Sequence, residues 1–594
     1  MKRIIFLIQI VLISGSIAML TSCSEDFLTK SPPATLQGPT LLSELGVDGL
    51  LMGAYANLNG GDIFGAAMAT DWVYASCAAD DAYKGSEEGD QSQFNDVERY
   101  VALPDNPYMA ARWSYNYEGV ARCNNTLVFL KQALAAGVPI PATKATQVEA
   151  QAKFLRAWFH FSLNRVFKNI AYIKTPEEMG GKTQSEIPNA DAGWTDMIAD
   201  LDFAIANLPE SWGGSDIGRA TKYAAMTMKA QALMYQNKLS EAKPILDAII
   251  NSGKFSLVPN YFDNYNENTE NNKESIFEIQ CTTSATGNSS VDLTQAVFIQ
   301  PTGPAAVGWG FYQPSQDLVD AFQVTADGLP ILNPADRPEF KSDMGIGSNV
   351  AFTPSDQPVD LRLDWTVARR GVDYLGWGIF PGASWVRNHA NGGPYMTKKY
   401  MHFFANKSRQ AGSGAYNDRN FRYYRLAHVI LWRAEIAVEE GDLSKARDLV
   451  NQIRNRLKTS QPVMGFVKAT IIPSSGAVAA ADVDWSKPAA NYKNEPYPGG
   501  NDAFANQATA REAVRLEIRL EFATEGQRFF DLRRWGQKDG DYDVKTLNAF
   551  IAHDTQFRQF MKGAVYSAKR RYWPVPQLQV DIQPGVITQD PDYK

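Results

Sequence analysis

Two stretches of this sequence, far apart along the chain, spell the same helical hairpin, and that repetition narrows the fold more than any other feature. In the first, Ala225, Met228, Ala232 and Tyr235 recur at steps of three and four. A polar turn follows, and Ala242, Ile245, Leu246 and Ile249 form a second stripe. In the second copy, Leu426, Ile430, Ala434 and Ala437 lead into Gly441-Asp442, then Ala446, Leu449, Val450, Ile453 and Leu457. Such spacing places the apolar residues on one face of each helix. The turns align residue for residue, Asn237-Lys238-Leu239-Ser240-Glu241-Ala242 over Gly441-Asp442-Leu443-Ser444-Lys445-Ala446. Small alanines let two antiparallel helices approach closely, and the remaining apolar face of a hairpin is buried by a neighbouring pair.

The pattern resembles a degenerate tetratricopeptide repeat. Two longer helices precede it: Trp113 to Leu134, broken by Gly137-Val138-Pro139, and a stripe through Val148, Ala152, Leu155, Phe159, Leu163 and Val166. Residues 281–425 and 458–507 are rich in Gly, Pro, Asn, Asp and aromatics, with little helical period except from Tyr312 to Phe322, which reads as a helix. These stretches are expected to be loops and short strands projecting from a helical scaffold, where functional residues concentrate. The expected fold is therefore mainly α.

The amino terminus is expected to determine location. Lys2-Arg3, an almost uncharged run from Ile4 to Leu20, and small residues before Cys23 follow the grammar of a secretory signal. Leu20-Thr21-Ser22-Cys23 resembles the lipobox of bacterial lipoproteins, in which the cysteine is acylated and the preceding segment removed. Several acyl chains at roughly 0.8 kcal/mol per buried CH₂ make a stable anchor. The acidic cluster Ser24-Glu25-Asp26 resembles a surface-export tag of outer-membrane lipoproteins, and the Pro-rich stretch to about Pro39 reads as a tether. Expected boundaries are a signal over residues 1–22, a lipidated tether over 23–39 and one domain over 40–594. Within it, hairpins fall at about 110–250 and 423–457, and ligand-binding excursions at about 281–422 and 458–507.

Loss of Lys2 and Arg3 with the signal takes the formal net charge from −7 to about −9, which argues against nucleic acid or an anionic membrane surface as the main partner. The 13 Trp, 25 Tyr and 30 Phe are enough to pack a core and still line a site. Beyond Cys23, the cysteines Cys77, Cys123 and Cys281 form no CxxC pair; one disulfide with a free thiol, or three buried thiols, are both open. The five histidines, His160, His389, His402, His428 and His553, lack metal-ligand spacing, and the Asp/Asn-rich loops contain no EF-hand pattern for Ca²⁺. No cofactor is expected. There is no GxSxG elbow, P-loop, HExxH or Gly-rich loop opening a helix after a strand.

The stretch from Arg511 to Trp535, REAVRLEIRLEFATEGQRFFDLRRW, closely resembles the SusD/RagB family of surface lipoproteins. Glu149 to Phe161 looks like that family's early long helix, and Arg425 to Arg456, with Ala434-Glu435 and Asn451-Gln452-Ile453-Arg454, like its late repeat. Trp573-Pro574-Val575-Pro576 and Gln589-Asp590-Pro591-Asp592-Tyr593 resemble its closing motif, although the family more often has Asn and Gly at positions 590 and 592, and Gln577-Leu578-Gln579 departs from its usual polar run. The resemblance implies a SusD-like helical scaffold. It also implies a non-catalytic glycan-binding protein at the outer membrane, lipid-anchored through Cys23 and facing the exterior. Its expected partner is a SusC-like TonB-dependent transporter, over which it would act as a hinged lid. Peptide cargo, as in the RagB branch, is the alternative; a surface glycoside hydrolase and a ligand-free repeat adaptor are the other classes.

Glu517, Glu521 and Glu525 lie at i, i+4 and i+8 with Arg515, Arg519 and Arg528 beside them. A general acid needs a raised pKa, whereas nearby arginines keep carboxylates charged. The motif is expected to be a scaffold clasp rather than catalytic.

Sugar rings present apolar faces edged with hydroxyls, so their sites pair flat aromatic rings with polar side chains. Three segments fit. The first holds Asp71, Trp72 and Tyr74, with Asp81 and Tyr83 following Asp80; it matches the family's amino-terminal binding loop in position. The second holds Trp309, Phe311 and Tyr312, where the family commonly places a stacking aromatic. The third runs from Tyr374 to Phe380 through Trp377, with Trp385, Arg387 and Asn388 nearby.

Overall fold

The computed structural model describes residues 38–60, 66–281, 309–411 and 416–593. The signal segment, Cys23 and the tether as far as residue 37 lie outside these residues, as does the stretch 282–308 within the first excursion. The longer helices are α1 (Glu44–Ala56), α2 (Pro107–Ala135), α3 (Ala142–Phe167), α4 (Trp194–Asn207), α5 (Lys222–Tyr235), α6 (Leu239–Asn251), α7 (Leu426–Glu439), α8 (Leu443–Thr459), α9 (Gln507–Phe522), α10 (Arg528–Lys538) and α11 (Tyr542–Asp554). The pairs α2–α3, α5–α6 and α7–α8 are the hairpins; α4 bridges α3 to α5, α6 packs on α7, and α9 closes against α7 and α8.

The two aligned turns share one geometry. Asn237 and Gly441 occupy equivalent positions with φ of 56° and 78°. After each, the next amide reaches back five residues, Lys238 N to Leu233 O and Asp442 N to Ala437 O, both at 2.9 Å. This is a Schellman cap, which needs a residue tolerant of the left-handed region, and Asn and Gly are the two that tolerate it best. The helix α3 is buried on every side from Ala150 to Val166 except at Lys153, because helices and loops surround it. Its Arg156 is fully buried and forks onto Asp200 at 2.7 Å through both Nε and Nη2.

Strands are few and short. β1 (Ala82–Gly85) pairs antiparallel with β3 (Phe311–Pro314), β2 (Ser275–Ile279) with β4 (Phe421–Arg425), and β5 (Met464–Val467) with β6 (Val483–Pro488). The helix expected from Tyr312 to Phe322 is shorter: residues 311–314 are strand, and only Gln316–Ala321 is helical. Ser315 causes the switch by capping it, its hydroxyl accepting from Leu318 N at 3.0 Å. Cys77 and Cys123 are buried thiols rather than disulfide partners.

The acidic ladder, Glu517 and Glu521 on α9 and Glu525 just past its end, is structural, but its partners differ from those expected along the helix. Glu521 is fully buried and binds Arg425 at 2.5 Å, Arg456 at 2.7 Å and Arg362 at 2.9 Å. Glu517 pairs with Arg362 and Arg454, and Glu525 with Lys399 and Arg425. Arg515, Arg519 and Arg528 turn elsewhere, to Asp539, to Asp80, Asp81 and Asp317, and to Asp80. Buried carboxylates demand close, well-oriented cations, and the neighbouring elements supply them better than the same helix does. Burial alone would push the Glu521 carboxyl up, but Arg456, Arg425 and Arg362 outweigh it and hold it well below the usual carboxylate range. After α9 the chain turns at Gly526, φ 75°, where a Cβ would lie 1.5 Å from Thr70 O. Phe529, Phe530, Leu532 and Trp535 then pack into the core.

Candidate functional site

The β1–β3 ribbon positions the site, because it runs from the core to the surface. Its register pairs Ala82 with Pro314 and Tyr83 with Gln313 at the inner end, and Gly85 with Phe311 at the outer end. Most residues expected to bind ligand sit on or below the inner part and are core. Trp72 is fully buried among Phe94, Phe311 and Tyr312, with ring centroids 5.0 to 6.1 Å apart. Asp71 is buried between Arg112 at 2.7 Å and Arg165 at 2.5 Å. Buried Tyr74 donates its hydroxyl to Tyr108 O at 2.7 Å. Asp81 lies beside Arg519 at 3.2 Å, and Asp80 is gripped by both Nε and Nη2 of Arg528. Tyr83 lies under the Arg558 guanidinium, 4.4 Å from its ring. Phe311 is enclosed, and Tyr312 donates its hydroxyl to Thr524 O at 2.5 Å. In the third segment, Trp385 is buried with its Nε1 donating to Ser474 O at 2.6 Å.

These residues are therefore not stacking surfaces. Apart from the buried Trp72 Nε1, which has no hydrogen-bond partner among the described residues, their polar tips are matched inside the protein, and each ring packs against others. The aromatic content of a loop cannot distinguish ring-on-ring packing from a ring left for a ligand.

Trp309 and Trp377 differ. Trp309 is 49% exposed at the outer end of the ribbon, where Ser86 N donates to Gly310 O at 2.6 Å. The Arg387 guanidinium lies 5.6 Å from its ring centroid. That guanidinium also pairs with Glu87 at 3.2 Å and Asp90 at 3.0 Å, and Asp90 accepts the Ser86 hydroxyl at 2.7 Å. Buried Lys84 pins the loop from beneath, its ammonium donating to the carbonyls of Glu87, Glu88 and Asp90 at 3.0, 3.1 and 2.6 Å. Burial pulls its pKa down to about 8, with Glu98 opposing the fall. Asn391 adds donors to Gly85 O and Ser86 O at 3.0 and 3.1 Å. Trp377 is half-buried, its Nε1 donating to His402 O at 2.8 Å, and meets the exposed Phe404 edge-on at 5.1 Å.

The arrangement offers an apolar ring, a fixed guanidinium and two carboxylates at the surface. Lys84, Glu87 and Asp90 were missed at the sequence level. Their signal was the polar run Lys84 to Asp90, which begins within β1 directly after Tyr83. Among the described residues no cluster of three or more His, Cys, Asp or Glu is arranged to hold a metal ion, and no helix is long and apolar enough to cross a membrane.

Comparison with known proteins places this geometry in context. The family model described as "SusD family" matches residues 273–593, and one described as "Starch-binding associating with outer membrane" matches residues 26–234. The SusD-like protein P25 of Formosa agariphila is 22% identical over 580 residues, spanning 96% of this chain and 95% of that one. Surface glycan-binding protein A from Bacteroides fluxus superposes with a TM-score of 0.65 at 22% identity, over 92% of this chain and 99% of its own. Surface glycan-binding protein A from Bacteroides thetaiotaomicron, solved in complex with laminarihexaose, does so with 0.64 at 19%, over 92% and 99%. With one family model covering more than half of the sequence and the same helical scaffold in these structures, this chain belongs to the SusD family.

Proposed function

We propose that this protein is a surface glycan receptor. It is lipid-anchored through Cys23 at the outer membrane, faces the exterior, and passes an oligo- or polysaccharide to a SusC-like TonB-dependent transporter that it covers as a hinged lid. The observation that carries the reading is the half-exposed Trp309 ring with Arg387, Glu87 and Asp90 around it, on a scaffold shared with proteins named as glycan-binding. An indole supplies apolar area to a sugar face at little conformational cost, and the charged groups suit ring hydroxyls. The transporter, the lid motion and the anchor rest on the family resemblance and the lipobox.

The reading is one of capture rather than cleavage. A glycoside hydrolase needs two carboxyl groups set on either side of the scissile bond, whereas Glu87 and Asp90 bind the same guanidinium. Peptide cargo relies on backbone hydrogen bonding and has less use for an exposed ring. Affinity electrophoresis of residues 24–594 against a polysaccharide panel tests the proposal. The expected result is retardation by one glycan class without released sugar, weakened about tenfold in Trp309→Ala, which corresponds to about 1.4 kcal/mol. No retardation by any glycan overturns it in favour of peptide cargo.

A further inference from the structure

A second exposed tryptophan lies on a different element. Trp485, on β6, is 56% exposed, more than Trp309. Its indole lies over Gly465 of β5: a Cβ built there would meet the ring at 2.7 Å. Gly465 has φ of 104°, a conformation in which any side chain is strained. One side of the ring thus rests on bare backbone.

The hairpin holding it is fixed rather than loose. Val483 pairs with Val467 and Asp484 with Phe466, and Val483 packs with Ile472 against Ile379. Ile379 lies two residues from Trp377, on the loop that continues to Arg387 beside Trp309. Polar residues flank Trp485 along the strand. Asp484 accepts from the Ser486 hydroxyl at 2.6 Å and faces Lys487 at 3.5 Å. A flat exposed ring on bare backbone, flanked along its strand by polar residues, suits one pyranose face, whereas a protein partner favours a larger continuous apolar area.

We propose that Trp485 is a second carbohydrate-stacking site, which engages another stretch of a polysaccharide held at Trp309. The inference rests on the glycan-receptor reading above and adds a consequence: affinity rises with chain length, because the second contact becomes intramolecular.

The experiment titrates wild-type protein, Trp485→Ala and Gly465→Ala with whichever polysaccharide of the panel retards the wild type, and with a hexasaccharide of the same linkage. Trp485→Ala is expected to bind the polysaccharide at least about fivefold more weakly and the hexasaccharide within about twofold of wild type. Its thermal midpoint should be unchanged, since the side chain is exposed. Gly465→Ala keeps the indole but displaces it, and is expected to lose polysaccharide affinity in the same direction. Wild-type polysaccharide affinity in Trp485→Ala overturns the inference while leaving the glycan reading intact. Absence of retardation of the wild type by every glycan overturns both.

Discussion

The clasp around α9 and the outer end of the β1–β3 ribbon are made of the same chemical parts. In the clasp, Arg425 lies 4.5 Å over the Phe522 ring and binds Glu521 and Glu525. At the ribbon end, Arg387 lies 5.6 Å over the Trp309 ring and binds Glu87 and Asp90. One set is dry, with Arg425 and Glu521 both fully buried; the other is open, with the side chains of Arg387 and Glu87 exposed by 24% and 52%. In the first, every charge is committed to the fold. In the second, water screens the ion pairs and leaves a ring and hydrogen-bonding groups available. Solvent access, rather than residue type, separates scaffold from site.

The sharpest way to break this contrast is to remove one charge from the dry side. Glu521→Ala leaves Arg362, Arg425 and Arg456 without their shared anion, and is expected to cost about 3–5 kcal/mol in urea unfolding. Unchanged stability would show the clasp to be dispensable. Next comes the pair of tryptophans. Trp72→Ala opens a cavity in the core and should cost about 3–5 kcal/mol. Trp309→Ala should stay within about 0.5 kcal/mol of wild type by the same measurement. Equal losses in the two would place Trp309 in the scaffold.

A buried acid on the loop-rich side gives a pH-dependent test. Asp343 is buried, its Oδ2 has no hydrogen-bond partner among the described residues, and burial raises its pKa to about 7, with Arg370 opposing. Its folded-state pKa lies above the ordinary carboxylate value. The folded protein therefore keeps a proton that the unfolded chain has lost, and stability falls as pH rises from about 4 to 7. Asp343→Asn should flatten that slope and raise stability at pH 8 by an amount on the order of 2–4 kcal/mol. The smaller contribution of Glu270, also raised to about 7 by burial, should remain. A thermal midpoint with wild-type pH dependence would refute the assignment. Arg387→Ala is also expected to cost little stability, less than about 1 kcal/mol, because its ion pairs are open to solvent. Its glycan affinity should nevertheless drop, and undiminished affinity would remove Arg387 from the site.

The helical hairpins were legible because period and turn chemistry are local. Asn237 and Gly441 occupy matching positions in the two turn sequences, and both adopt the left-handed conformation that the shared turn requires. The structural role of Glu517, Glu521 and Glu525 was legible too, since acids spaced along one helix edge beside arginines argue for ion pairing. Their true partners were not, because Arg362, Arg425, Arg454 and Arg456 come from elements far away in sequence. The site was the least legible. Three loops stand out in the sequence by their aromatic content. In the structure Trp72 and Tyr312 pack on each other at 5.4 Å, and the same ribbon carries Trp309 to the surface.

From the sequence alone came the mainly helical scaffold, its repeated hairpins, the two loop-rich excursions and the resemblance to SusD proteins, all of which follow from local spacing or contiguous motif. Tertiary structure decided which cations neutralise the buried acids and which tryptophans meet solvent. Those outcomes depend on depth, and depth arises only when segments hundreds of positions apart pack together and exclude water from some side chains but not from chemically identical ones.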